Sequence, residues 1–300
     1  MNASAVSPGD HFFEADGIRF HYFVGGSGPL VVVQSVGWGM PADYLISGFG
    51  PHLEQKNSVV YFEPRGNGES SRPADAETMS AKRMAEDLDH LRNHLGLERF
   101  PVLVGASHAA AIALWYAEKY ASRVDKLILV GAQIMDSPPN THMMDWYSKR
   151  KDDPAYAAAA ATLMGFYGGG SEGIPRTDEQ FRAAMDTLLP WYFSDTSKAD
   201  ILRQQFAAGK TQLALYGLQT NVNDMKPENK LPHIEDAGKV QAKTLILWGA
   251  EDAMCSQGAA HAIANGIAGS KLVIIPGVGH CMHLEAPERF GVELSKFLDL

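Results

Sequence analysis

Cysteine is scarce in this chain: only Cys255 and Cys281 occur among 300 residues. So low a count excludes a small secreted scaffold held by disulfides, and both are read as free thiols. No block of lysine or arginine is present. Asp and Glu outnumber Lys and Arg by 35 to 26, for a formal net charge of −9. Nucleic acid is therefore not an expected partner, since phosphate binding needs clustered cations. Long hydrophobic runs are missing too. The longest, such as residues 126–130, are strand-sized, far short of the roughly 20 residues that cross a bilayer. The first ten residues are polar and lack a basic segment followed by an apolar one, so no signal peptide is expected. A cytoplasmic protein that does not act at a membrane follows as the expectation. No internal repeat is visible, and no zinc-ligand spacing of Cys and His occurs, so neither a metal nor an organic cofactor is expected.

What the chain does have is a regular order of short apolar segments. Residues 11–24 read as a hairpin turning at Asp16-Gly17, a strong hairpin dipeptide. Residues 30–34, 58–62, 101–104, 126–130, 244–248 and 271–275 are rich in Val, Ile and Leu and do not alternate with polar residues. Strands read this way when helices cover both faces of a parallel sheet. Helical patterns lie between them. Residues 80–95 place Met84, Leu88, Leu91 and Leu95 on one face with Ser80 as N-cap. Residues 108–120 form an alanine-rich helix, and residues 287–298 carry Phe290, Leu294 and Phe297 on one stripe. The fold class is therefore α/β, with a doubly wound, mostly parallel sheet.

One stretch breaks that rhythm. Residues 136–239 show no convincing strand, a Gly168-Gly169-Gly170 breaker and many aromatics, among them Trp146, Tyr147, Phe166, Trp191, Tyr192 and Tyr216. They read as a helical insertion. Residues 1–135 and 240–300 would form the core domain and 136–239 the insertion, its aromatics serving first as its own core.

The sharpest chemical signal is Val102-Leu-Val-Gly105-Ala-Ser107-His-Ala109. A buried strand runs into Gly-x-Ser-x-Ala and then into a helix, a turn that lifts the Ser107 hydroxyl out at the C-terminal edge of the sheet. The turn is tight, so the residues two before and two after the serine must be small. Gly105 and Ala109 meet that need. A serine requires a base. His280, in the Gly-rich loop after residues 271–275, is the candidate, with His283 as competitor. The base requires a carboxylate to fix its tautomer, and Asp252 lies just past residues 244–248. Glu251 and Asp136 are the alternatives. An oxyanion hole would take the backbone N–H of His108, directly after the nucleophile. It would take a second N–H from Ser35-Val-Gly37-Trp38-Gly39, with Gly37 first and Trp38 second. The His108 side chain itself reads as a surface group at a helix start.

These motifs resemble the α/β-hydrolase superfamily and, within it, the proline-iminopeptidase-like branch. The resemblance is carried by Gly37-Trp-Gly39 before Tyr44-Leu45, by residues 62–70 (Phe-Glu-Pro-Arg-Gly-Asn-Gly-Glu-Ser), and by Gly105 to Ala109, Gly249 to Asp252 and residues 276–285. It implies an eight-stranded, mostly parallel sheet with residues 136–239 as a helical cap over a Ser107–Asp252–His280 triad. Two departures stand out. Ser35-Val36 replaces the usual His-Gly of the oxyanion loop, and Glu63 replaces the usual Asp. Arg65-Gly-Asn-Gly68 reads as structural, the arginine pairing with a neighbour. Peptidase activity in that branch would need cap carboxylates to bind an amine, for which Glu179 and Asp186 are candidates.

The expected function is hydrolysis of an ester, lactone or amide of a small apolar substrate through an acyl-enzyme. One rival is cofactor-independent lyase or oxygenase chemistry on the same fold, with His280 as base and Ser107 only positioning the substrate. Another is a non-catalytic ligand receptor. Serine at the nucleophile position disfavours epoxide hydrolase and dehalogenase chemistry.

Overall fold

Asp16 and Gly17 both take positive φ, 50° and 70°. Two such residues make the turn whose twist matches that of the strands it joins. They close the hairpin of β1 (Gly9–Ala15) and β2 (Ile18–Gly26), paired antiparallel. The computed structural model describes residues 6–135, 141–167 and 174–299. Six more strands follow along the chain: β3 (Leu30–Gln34), β4 (Ser58–Glu63), β5 (Phe100–Ala106), β6 (Val124–Val130), β7 (Lys243–Gly249) and β8 (Lys271–Ile275). They form one eight-stranded sheet in the order β1-β2-β4-β3-β5-β6-β7-β8. β2 meets β4 antiparallel, and every pairing from β4 onward is parallel. All six apolar runs read from the sequence are strands, differing by at most two residues at either end.

The interior strands are buried on both faces, which explains their unbroken Val/Ile/Leu composition. Val31, Val33, Tyr61, Val104, Ile128 and Leu247 face one side, packed with α1 (Asp43–Leu53) and α12 (Pro287–Leu298). Val32, Val60, Leu103, Leu127 and Ile246 face the other, packed with α2 (Ala81–His94), α3 (His108–Lys119) and α10 (Gln257–Gly266). Ser80 caps α2 as its sequence implies, its side chain accepting from the Arg83 N–H. Arg65 is buried and pairs with Asp87 on α2 at 2.6 Å, with a further bond to Asp16. The Arg65 loop is thus a brace between hairpin and helix.

Between β6 and β7 the described residues hold no strand. They form α4 (His142–Arg150), α5 (Ala157–Tyr167), α6 (Asp178–Leu188), α7 (Ala199–Ala208), α8 (Leu218–Asp224) and α9 (His233–Asp236), linked by short 3₁₀ turns. The glycine run 168–170 and Asp136 lie outside the described residues. Among the described residues the insertion's large aromatics do not form a core apart from the sheet. Tyr156, Phe181, Trp191 and Phe193 are buried in the same cluster as Trp38, Tyr44 and the α1 face of the sheet. Arg150 is buried among them, its guanidinium 4.3 Å from the Tyr156 ring centre and 4.4 Å from that of Trp146, and it donates to the Trp191 carbonyl at 3.0 Å. α11 (Met282–Glu285) lies just before α12. No helix among the described residues is long and apolar enough to cross a membrane.

Candidate active site

Strand register decides which loops meet. Gln34 pairs with Gly105, Ala106 with Val130, Val130 with Leu247, and Gly249 with Ile275. The C-terminal ends of β3, β5, β6, β7 and β8 are therefore level. The residues just beyond them, from Ser35, Ser107, Gly131, Asp252 and His280, gather at one edge of the sheet.

Ser107 sits at the tip of the turn between β5 and α3 with φ 55° and ψ −126°. A non-glycine residue pays roughly 1–3 kcal/mol for such a backbone and keeps it only where its surroundings enforce it. Here they do. The Ser107 N–H donates to the Val130 carbonyl at 2.8 Å, and the Ser107 carbonyl accepts from the Gln133 N–H at 3.1 Å. The need for a small residue at 105 is also visible, because a Cβ on Gly105 would lie 2.4 Å from the Ala109 carbonyl oxygen.

His280 and Asp252 form a buried pair, with Nδ1 of the imidazole 2.8 Å from Oδ2 of the carboxylate. The carboxylate accepts, so the Nδ1 position carries the proton and the lone pair is left on Nε2. The other Asp252 oxygen accepts from the N–H groups of Met254 and Cys255, each at 2.8 Å. The His280 N–H donates to the Tyr192 carbonyl of the cap at 2.8 Å. Gly131, at φ 52°, backs the pair: a Cβ there would lie 3.3 Å from both His280 Nδ1 and Asp252 Oδ2. Glu251 makes no bond to His280; its backbone pairs with Val278 and receives Arg150. His283 is buried close by but pairs with no carboxylate.

Ser107 and His280 line one cavity. Its inner lobe is walled by Val36, Tyr44, Leu202, Phe206 and His283. An outer lobe is walled by Phe166, Phe181, Leu218 and Met254. Trp38, Ser107, Met185 and Tyr192 belong to both, so the serine stands at their junction. The lining is mainly apolar, as expected for a small-molecule site. Neither Glu179 nor Asp186 reaches it. Both are exposed, paired with Arg182 and Arg203 respectively. Cys255 and Cys281 are free, buried thiols at the edge of the two lobes. Donor atoms of Asp252, Cys255 and His280 lie within 4.8 Å of one another. However, the carboxylate oxygens are already committed to His280 and two N–H groups, and burial pushes the Cys255 thiol well up.

The loop after β3 departs from two expectations. The Gly37 N–H is not available to the cavity, for it donates to Nδ1 of His108 at 3.1 Å. Glycine is required at 37 for packing instead, since a Cβ there would lie 2.1 Å from the Met84 sulfur. The His108 side chain is not a surface group. It is 4% exposed, and its Nε2 stands 3.0 Å from Oδ2 of Asp224 at the end of cap helix α8. The other Asp224 oxygen accepts from the Ala81 N–H at 2.8 Å, and Thr220 on the same helix donates to the Gly37 carbonyl at 2.5 Å. Helix α8 and the loop after β3 are thereby joined on both sides of Gly37, directly through Thr220 and by way of His108 through Asp224. Sequence reading misses Thr220 and Asp224, which lie in no motif. The backbone N–H of His108 is the first in α3, where no earlier turn supplies a partner.

With this geometry in view, the comparisons with known proteins are direct. Residues 31–287 match the family model for the alpha/beta hydrolase fold. The chain is 26% identical to the proline iminopeptidase PfmaB of Pestalotiopsis fici over 287 residues, covering 91% of this chain and 94% of that protein. It is also 26% identical to the human serine hydrolase BPHL, covering 94% of this chain and 84% of that one. Among solved structures, an alpha/beta fold family hydrolase from Bacillus anthracis superposes with a TM-score of 0.72 at 16% identity, over 96% of this chain and 98% of that one. The chain belongs to the alpha/beta hydrolase fold family.

Proposed function

We propose that this protein is a serine hydrolase acting on esters, lactones or amides of small, largely apolar substrates. Ser107 attacks the carbonyl carbon while Nε2 of His280 takes the hydroxyl proton. Asp252 holds the imidazole in the required tautomer and stabilises the imidazolium. The backbone N–H groups of His108 and Trp38 bind the oxyanion; Trp38 takes the place first given to Gly37, because the Gly37 N–H is occupied. The imidazolium then protonates the leaving group. Water enters, gives its proton to His280 and attacks the acyl-enzyme, releasing the acid and restoring Ser107. Neither a metal nor an organic cofactor has a step in this sequence.

The observation that carries this reading is a serine held at φ 55° on a cavity wall shared with an imidazole whose other nitrogen is bound to a buried carboxylate. The names of two relatives, a proline iminopeptidase and a serine hydrolase, are in keeping with it. Ester or lactone cleavage is favoured over aminopeptidase action, since the two cap carboxylates suited to hold an amine, Glu179 and Asp186, do not line the cavity and sit in surface ion pairs.

The test is labelling with a fluorophosphonate, read by intact mass and peptide mapping. One adduct on Ser107 is expected, lost in Ser107→Ala and weakened in His280→Ala. Turnover on an ester and lactone panel should fall roughly 10⁴–10⁶-fold in Ser107→Ala. A folded protein that takes no label, or one whose turnover survives Ser107→Ala, would sink the acyl-enzyme mechanism in favour of the lyase, oxygenase or receptor alternatives.

A further inference from the structure

His283 has an imidazole whose two ring nitrogens find no hydrogen-bond partner in the protein, although the residue is only 6% exposed. Its surroundings are those of an aromatic core residue. The Phe49 ring meets it edge-on at 5.1 Å, Phe290 stands 6.1 Å away, and Gly48 leaves space where a Cβ would come within 2.4 Å of its Cδ2. A phenylalanine would suit those neighbours. What histidine adds is one N–H donor and one acceptor. Buried polar groups are paired in the great majority of cases. An unpaired imidazole on a cavity wall therefore calls for a partner that arrives from the cavity.

That wall belongs to the inner lobe, which also holds Ser107 and His280. Burial first, then the neighbouring His280 and His52, push the His283 pKa down to about 3. The ring is consequently neutral wherever the protein is folded and active. No lysine, arginine, aspartate or glutamate lies among the described residues of this lobe. A carboxylate or an ammonium entering it would lose its hydration with no counter-charge to replace it. A neutral oxygen has no such penalty and pairs with either form of the ring, a carbonyl with the N–H and a hydroxyl with both functions.

Resting on the serine-hydrolase reading, we infer that His283 sets specificity in the inner lobe. The lobe receives an apolar portion of the substrate that carries one neutral oxygen, a ketone carbonyl or a hydroxyl, which bonds to the His283 ring. A pure hydrocarbon portion fills the same space but leaves the imidazole unpaired. A portion ending in carboxylate is rejected.

The experiment compares kcat/KM for esters that differ only by replacing CH₂ with C=O. For the acyl half these are p-nitrophenyl hexanoate and its 4-oxo and 5-oxo analogues. For the alcohol half they are butyl acetate and 3-oxobutyl acetate. The wild-type protein should favour at least one oxo ester over its hydrocarbon parent by about tenfold, as a site built to hydrogen-bond a substrate oxygen discriminates. That ratio should fall to one or below in His283→Phe and be partly kept in His283→Gln, which still offers a donor and an acceptor. A wild-type ratio of one or below in both series, or a ratio unchanged in His283→Phe, overturns the inference. If no ester is turned over and Ser107 takes no fluorophosphonate, it is the hydrolase reading that has failed. The role of His283 is then read by binding, titrating 2-hexanone into Ser107→Ala protein and following the ring nitrogen resonances of His283. Movement of those signals supports the inference, and none up to the solubility limit overturns it.

Discussion

The backbone N–H of Gly37 donates to Nδ1 of His108 at 3.1 Å, which leaves the neutral imidazole its proton on Nε2, 3.0 Å from the Asp224 carboxylate. The tautomer of His108 is thus set by a backbone group on one side and a cap carboxylate on the other. Since the Gly37 carbonyl is bound by Thr220, the orientation of the next peptide, which carries the Trp38 N–H, depends on these contacts. His108→Ala leaves the Gly37 N–H and the Asp224 carboxylate short of a partner in a buried place. Stability should fall by about 1–3 kcal/mol, and kcat/KM on a good ester by about 10–100-fold through a displaced oxyanion donor. Asp224→Asn, which keeps an acceptor oxygen, should lose less on both counts. Urea melts and steady-state kinetics measure the two effects separately. Unchanged kcat in His108→Ala would show that the loop is held without it.

Gly131 offers a second test of positioning. Alanine there meets a positive φ of 52° and puts its methyl 3.3 Å from both members of the Asp252–His280 pair. The backbone conformation alone should cost about 1 kcal/mol. The larger effect should be on kcat, because the imidazole must shift toward the cavity to make room. Retention of full kcat in Gly131→Ala, on the substrate used for wild type, would show that the pair tolerates the displacement.

The Arg65–Asp87 pair ties the hairpin to α2 without lining the cavity. Asp87 is wholly buried, and removing one partner of such a pair strands the other charge. Asp87→Ala should therefore destabilise the fold by about 3–5 kcal/mol, seen as a lower urea midpoint, while kcat of the folded fraction changes little. A midpoint within error of wild type would contradict the brace.

Acid stability should carry the signature of His283. Its folded pKa of about 3 lies below the ordinary histidine value of 6.5. As pH falls through 6.5 the unfolded chain takes up this proton and the folded chain does not, until pH approaches 3. Across that window the residue lowers stability as pH falls, by up to roughly 1.4 kcal/mol per pH unit. His283→Phe removes the contribution, so its stability should fall less steeply between pH 6 and pH 4 than that of wild type. Parallel slopes from urea melts at several pH values would refute this.

The sheet is legible in the sequence because each strand is a local pattern, and two-sided burial writes itself as unbroken Val, Ile and Leu. Ser107, Asp252 and His280 are legible because each lies within five residues of a strand end, and level strand ends bring such residues together. The oxyanion loop resists the same treatment. Glycine at 37 advertises backbone freedom but not the direction of its N–H, and the reason for it is the Met84 side chain on another element. The link from His108 to Asp224 spans 116 residues and ends on a helix of seven residues without a motif. Contacts of that kind are decided by how the cap docks, which no local pattern encodes.

Thr220 and Asp224 have a bearing on modularity. An insertion that merely roofs a pocket can be traded between relatives to alter which molecules are admitted. Here one short helix of the insertion also holds the Gly37 carbonyl and the His108 ring, next to Ser107. A chimera receiving a foreign insertion in place of residues 136–239 would have to inherit both side chains at matching positions, or replace His108 along with them. Substrate choice can therefore diverge through the remaining helices and through Leu218 on this one, while Thr220 and Asp224 stay fixed.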